Sequence, residues 1–413
     1  MKIALSTLCL LASITPNALE ETSRPLDSVT LMGSRKPLEG RLLQVTQDEL
    51  VLKAKSRLRV IPREEVQEFR SVNQDLMSLM PDLREVSTAL DSSGMKALAE
   101  SCEGRGLPGE ARLVWWSLLR LEPENEEAHK ALGNRQARGN WQAKLTDKAW
   151  TMDLVRTKKP EWGKPFELST THFDFRSNIP WFETVRAAVM AEEIYTALYF
   201  TLGAEYGLFW PEQVMTIELH GDDSYAGGAD LRATVDVESR RVSFDFEEGF
   251  QPWLFARHLD ELLISQVFKE TGKGRANLPI WLAIAMEESL QAKLDLTTID
   301  AQKIRFSPDR DHGYNRAVHA AAAEPYGLSR VLNLGSSDFR NANQELQRAQ
   351  AYTLYTYCLV GEGGKYRAGM QAYVAEVLEG GGSSTDFLKC LDLSNQREQR
   401  EFEEAWFAWV KAL

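Results

Sequence analysis

Residues 253–291 read WLFARHLDELLISQVFKETGKGRANLPIWLAIAMEESLQ. They form two apolar segments of helical period, joined by a linker rich in Gly and Lys. Phe255, Leu259, Leu262, Leu263 and Val267 share one face of the first segment, the spacing of a helix packed on a core. Pro279 stands where a second helix opens, since its missing N–H costs nothing at a first turn. Polar residues interrupt the pattern: His258, Asp260 and Glu261 in the first segment, Glu287 and Glu288 in the second. His258 and Glu261 are three apart and lie on one helix face.

The chain around this stretch is longer than one ordinary domain. Its 413 residues, 43% hydrophobic and 26% charged, have the balance of a folded protein of two or three domains. A net charge of −12 and a pI near 5.2 argue against a nucleic-acid partner, because tracking phosphates requires a basic excess. Met1 and Lys2, the apolar run 3–14 and the turn Pro16-Asn17-Ala18 have the three regions of a secretory signal peptide over 1–18. The expected location is therefore extracytoplasmic, periplasmic or secreted. No later stretch is long and apolar enough to span a bilayer. Three cysteines follow the signal region, Cys102, Cys358 and Cys390, too few for a disulfide framework. An oxidising compartment permits Cys358 to pair with Cys390, and buried free thiols are the other reading.

Within 25–72 the pattern is of period two, broken by Gly33, Pro37, Gln47-Asp48 and Pro62. Strands are expected at 29–31, 40–45, 49–53, 58–61 and 66–69, closing into a small SH3-like or Sm-like β-barrel. Over 73–150 the period becomes helical. Ala99, Leu107-Pro108-Gly109-Glu110-Ala111, Trp115, Leu118 and Pro123, with Leu132-Gly133 further on, resemble one tetratricopeptide repeat and the start of another. Such repeats need about three units to stand alone, so a neighbouring domain is expected to cover this piece. Pro160 and Pro165 disfavour helix and mark a connection into the C-terminal unit, 165–413. There the expectations are a strand at 166–178, a helix from Trp181 to Leu202, and strands at 214–219 and 242–246. Further helices are expected at 315–323, 345–359, 366–378 and 396–412.

Two motifs in this unit carry a resemblance. The stretch Thr170-x-His172-Phe173-x-x-x-Ser177-Asn178 before a long helix is similar to the opening of the peptidase-MA-like, gluzincin-like domain of secreted bacterial proteins. In gluzincin metallopeptidases an HExxH helix precedes a helix reading Pro-x-Trp-Leu-x-Glu-Gly-x-Ala-Glu. These align with His258-Leu259-Asp260-Glu261-Leu262 and with Pro279-Ile280-Trp281-Leu282-Ala283-Ile284-Ala285-Met286-Glu287-Glu288. The resemblance covers 165–413 and implies an α+β, zincin-like fold of mixed sheet plus helices.

It also shows what has been replaced. A catalytic zinc needs three protein ligands and an open water position, with a carboxylate to take the water's proton. His258 holds the first ligand position, but Leu259 stands at the general base, Leu262 at the second ligand and Ile284 at the third. The resemblance thus implies a degenerate, metal-free site without cofactor, in a protein that binds a peptide or protein partner through His258, Glu261, Trp281 and Glu288. The alternative is an active metallohydrolase holding zinc through a rearranged His258/Glu261/Glu288 set. His258 is the residual metal candidate, and a partly buried, hydrogen-bonded histidine is its plainer reading. His172 reads as structural. His220, Asp222 and Asp223 form a strand-end polar cluster of the kind that takes a cation, with a solvated loop as its plainer reading, and Pro308-Asp309-Arg310-Asp311-His312 reads as a charged turn that lacks a calcium loop's spacing. There is no Gly-x-Ser-x-Gly elbow, no phosphate-binding loop and no dinucleotide fingerprint.

Overall fold

The computed structural model describes residues 25–55, 57–85, 91–227, 231–293, 318, 321–340 and 343–413. The signal peptide expected at 1–18, the charged turn expected at 308–312 and most of the helix expected at 315–323 lie outside them.

The N-terminal alternation forms five strands: β1 (Asp27–Leu31), β2 (Leu38–Val45), β3 (Glu49–Ala54), β4 (Arg57–Pro62) and β5 (Val66–Arg70). All pairings are antiparallel, in the order β4-β3-β2-β1-β5. The expected barrel does not close, because β4 and β5 remain the two edges. The physical reason lies in β4, which buries only Ile61 and exposes Arg57, Leu58, Arg59 and Val60; closure would hide no continuous apolar face. Val29, Leu42, Leu50, Leu52 and Ile61 form a small core of their own. Buried Asp27 ties the sheet to the next element. Its carboxylate accepts the Leu42 and Val72 N–H groups, each at 2.6 Å.

Helices follow: α1 (Val72–Glu85), α2 (Ser92–Gly104), α3 (Pro108–Leu121) and α4 (Glu126–Ala131). Asp91 caps α2 by accepting the Gly94 N–H, and Asn125 caps α4 by accepting that of Ala128, the preferred N-terminal chemistry. Gly133, expected inside a second repeat, instead terminates α4. With φ at +70° it lets the Asn134 N–H reach His129 O and its own N–H reach Lys130 O, a Schellman end. The chain then forms β6 (Arg135–Ala137), β7 (Asn140–Lys144) and β8 (Ala149–Thr151), a three-stranded antiparallel sheet. The helical reading of 73–150 is corrected over this part. α5 (Met152–Thr157) leads into the C-terminal unit.

That unit contains β9 (Phe166–Ser169), β10 (Phe173–Ser177), α6 (Trp181–Leu198), a π-helical turn at Tyr199–Gly203, α7 (Ala204–Tyr206), β11 (Met215–His220), β12 (Ala233–Asp236) and β13 (Arg241–Asp245). The strand expected at 166–178 is a hairpin, turning at Thr170–His172. The sheet order is β12-β13-β11-β10-β9, parallel across β10, β11 and β13 with antiparallel edges. The helices after it are α8 (Pro252–Thr271), α9 (Ile280–Lys293), α10 (Leu328–Leu332), α11 (Gln344–Val360), α12 (Arg367–Leu378), α13 (Ser384–Cys390) and α14 (Gln396–Ala412). No helix is long and apolar enough to cross a membrane among the described residues. The architecture is mixed α+β.

One buried cluster runs from Val72 on α1 to Val410 on α14. Trp116 of α3 meets Trp181 of α6 edge-on, ring centroids 5.2 Å apart. The short helical segment and the C-terminal unit therefore share a core. Cys102, Cys358 and Cys390 are free thiols, so the Cys358–Cys390 pairing is not made.

Candidate functional site

α8 starts with Pro252 in its first turn and is buried on most sides. Leu259 and Leu262 are fully buried, as are Leu263 and Val267. Ile284 of α9 is partly buried and packs against the same core. The three positions aligned with a base and two ligands are thus hydrocarbon in close packing. Each buried side chain of this kind contributes roughly 1.5–3 kcal/mol relative to exposure. None offers a lone pair to a metal.

The polar residues aligned around them separate into two groups. His258 keeps 23% of its side chain exposed and places Nδ1 3.1 Å from Glu261 Oε2, on a carboxylate that is itself 48% exposed. The His258 ring also meets buried Phe244 edge-on, so the pair sits at the margin of the core, a partly buried, hydrogen-bonded histidine. Glu287 and Glu288 turn instead toward α11, where Arg348 Nη2 donates to Glu287 at 3.0 Å and Arg348 Nε donates to Glu288. The side chains of Arg348 and Glu287 are only 10% and 6% exposed. Burial pushes the Glu287 carboxyl up to about 7, against the pull of Arg348. Arg257 of α8 lies close enough to feel Arg348, Glu287, Glu288 and Glu261, and burial lowers its guanidinium from the usual range.

The rearranged His258/Glu261/Glu288 set is therefore not assembled: His258 pairs with Glu261, and Glu288 with Arg348. Among the described residues no group of three or more His, Cys, Asp or Glu side chains is placed to hold a metal ion. Trp281, expected on a binding surface, is 1% exposed. It stacks on Tyr373 and meets Phe387 edge-on, a core residue that anchors α9 to α12 and α13.

Two histidines away from this stretch prove informative. His172 directs Nδ1 to Glu192 Oε2 at 2.6 Å and Nε2 to Asn73 Oδ1 at 2.8 Å, and its ring stacks on Tyr195 at 3.6 Å. It joins the turn after β9 to α1 and α6, the structural role read from the sequence. The neighbouring Thr171 N–H donates to Glu110 Oε1 of α3 at 2.9 Å, and the His172 N–H to Glu192 Oε1. Glu110 is fully buried, and burial, then the nearby Glu192, raises its carboxyl to about 7. His220 is not solvated: it is 4% exposed, lies against Trp162 with ring centroids 3.7 Å apart and bonds Ser224 Oγ.

No family model, no curated protein and no solved structure matches this chain. Sequence reasoning missed Arg348, Glu110 and Glu192. The signal for Glu110 was a carboxylate on the apolar face of α3. Arg348 carries the same signal at the head of the run AQAYTLYTYCLV.

Proposed function

We propose that this chain is a non-catalytic, metal-free relative of gluzincin peptidases that works outside the cytoplasm by holding a peptide or protein partner without cutting it. The observation that carries the reading is the full burial of Leu259 and Leu262, at the places where the resemblance puts the general base and a ligand. A site of this composition has neither a metal-bound water nor a group to deprotonate one. The charge that survives serves other ends. Glu287 and Glu288 both accept from Arg348 and join α9 to α11, while His258 and Glu261 present a partly exposed polar pair to a partner.

The test is incubation of the purified chain with a mixed peptide library, followed by mass spectrometry of retained and released material. The expected result is intact peptide retained by the chain, with retention reduced in His258→Ala and Glu261→Ala. Chelator-sensitive hydrolysis of any peptide in the mixture overturns the reading.

A further inference from the structure

Where the N-terminal sheet meets the C-terminal unit, a cavity of about 850 Å³ opens between the β2–β3 turn and the π-helical turn at Tyr199–Gly203. That volume is in the range of pockets that take small ligands, roughly 300–1,000 Å³. Phe69, Tyr199, Phe200 and Trp210 line it. A π-helical turn is a rare conformation, concentrated at functional sites, and this one shapes the wall. Gly203 makes the wall possible: a Cβ there would fall 2.4 Å from Trp210 Cζ2. Trp210 in turn packs on Tyr199, ring centroids 4.0 Å apart, and donates its backbone N–H to Leu43 O across the junction.

Arg63 supplies the polar end. Its backbone N–H donates to Asp48 O at 2.8 Å, and its guanidinium sits 4.6 Å from the centroid of the Phe69 ring. Nη1 is buried and has no hydrogen-bond partner among the described residues. Nη1 has no surface open to the cavity, so a ligand acceptor meets the other guanidinium N–H groups of this cavity-lining residue. Residues 25–70 carry nine Lys and Arg against seven Asp and Glu, a positive island in a chain of net charge −12. Asp48 lines the same cavity and disfavours a ligand with several negative charges.

We propose that this cavity is a second binding site, which takes an aromatic side chain carried next to a single carboxylate, as at a peptide's end or in an acidic–aromatic pair. The ring lies among Phe69, Phe200 and Trp210, and the carboxylate accepts from the Arg63 guanidinium. This site is independent of the α8–α9 reading and stands or falls without it.

Isothermal titration of the full chain with three probes tests it: N-acetyl-alanyl-phenylalanine, N-acetyl-glutamyl-phenylalanine amide and the neutral N-acetyl-alanyl-phenylalanine amide. One acid at least is expected to bind about tenfold or more tightly than the neutral amide, the worth of one charge-assisted hydrogen bond. Which acid prevails identifies a terminal or a side-chain carboxylate as the natural group. Arg63→Gln is expected to abolish the preference with Arg63→Lys restoring part of it, Phe200→Ala to weaken both acids, and Arg397→Ala, on the exposed face of α14, to change nothing. The proposal is overturned if neither acid binds, if the neutral amide binds equally well, or if binding survives unchanged in folded Arg63→Gln. Should Arg63→Gln fail to fold, unchanged acid binding by Phe200→Ala overturns it as well.

Discussion

Arg348 Nη2 lies 3.0 Å from Glu287 Oε2, and the same guanidinium holds Glu288, so that one cation from α11 closes α9 against the core. Removing one partner of a buried pair leaves the other charge without compensation, which costs about 3–5 kcal/mol. Arg348→Met is therefore expected to lower unfolding free energy by that order in urea titration. Adding Glu287→Gln and Glu288→Gln to Arg348→Met is expected to recover much of the loss. If the triple variant is no more stable than Arg348→Met, the cluster is not the latch described.

Glu110 gives the fold a pH dependence of determinate sign. Burial, then Glu192, raises its carboxyl to about 7 from an ordinary value of 4.5. Between those values the folded chain keeps a proton that the unfolded chain has released, so stability falls as pH rises. The contribution is fully present below pH 4.5 and is lost as pH rises toward about 7. Glu110→Gln retains an oxygen acceptor for the Thr171 N–H and has no proton to lose. It is expected to match the parent chain near pH 4 and exceed it in stability near pH 8, as read from denaturation midpoints across that range. Equal slopes in the two chains would contradict the account.

His172 and Glu192 form the second buried pairing. Burial works against the Glu192 charge, but His172 outweighs it and holds the carboxyl below its usual range. His172→Ala is expected to cost about 3 kcal/mol and to speed proteolysis around α1, because the Asn73 contact is lost with it. Adding Glu192→Gln is expected to return part of that stability. Equal proteolysis rates in the parent and His172→Ala would show that the contact does not tie α1 to the C-terminal unit.

These buried networks mark where sequence reading stops. The alternation of Leu42, Leu50 and Leu52 and the apolar stripe of Leu259, Leu262 and Leu263 are local patterns, and β2, β3 and α8 follow from them. The order of strands at an edge is not local: nothing in Arg57-Leu58-Arg59-Val60 alone says that β4, paired with β3, will find no second partner. β6 to β8 are three to five residues each, too short to impose a period on a stretch that follows helices. Arg348 lies sixty residues from Glu288 in sequence, so the pairing is set by the packing of α9 on α11 and leaves no trace in spacing. His258 was legible as a histidine on a helix with Glu261 one turn away, and its contact with Phe244 was not.

Leu262 distinguishes a packed core from a vacated metal site by its energetics. Leu262→Ala removes a fully buried side chain, and such truncations cost about 2–5 kcal/mol. The expected loss appears equally with and without chelator in the buffer. A chelator-dependent loss would mean that a metal ion shares in holding these helices.

The central proposal is that packing, not a metal ion, holds the α8–α9 core together, and zinc content measures it most directly. The chain, purified without metal-affinity steps and analysed by inductively coupled plasma mass spectrometry, is expected to carry far less than one zinc per molecule and to keep its melting temperature in chelator. One zinc per molecule, lost on His258→Ala, would contradict it.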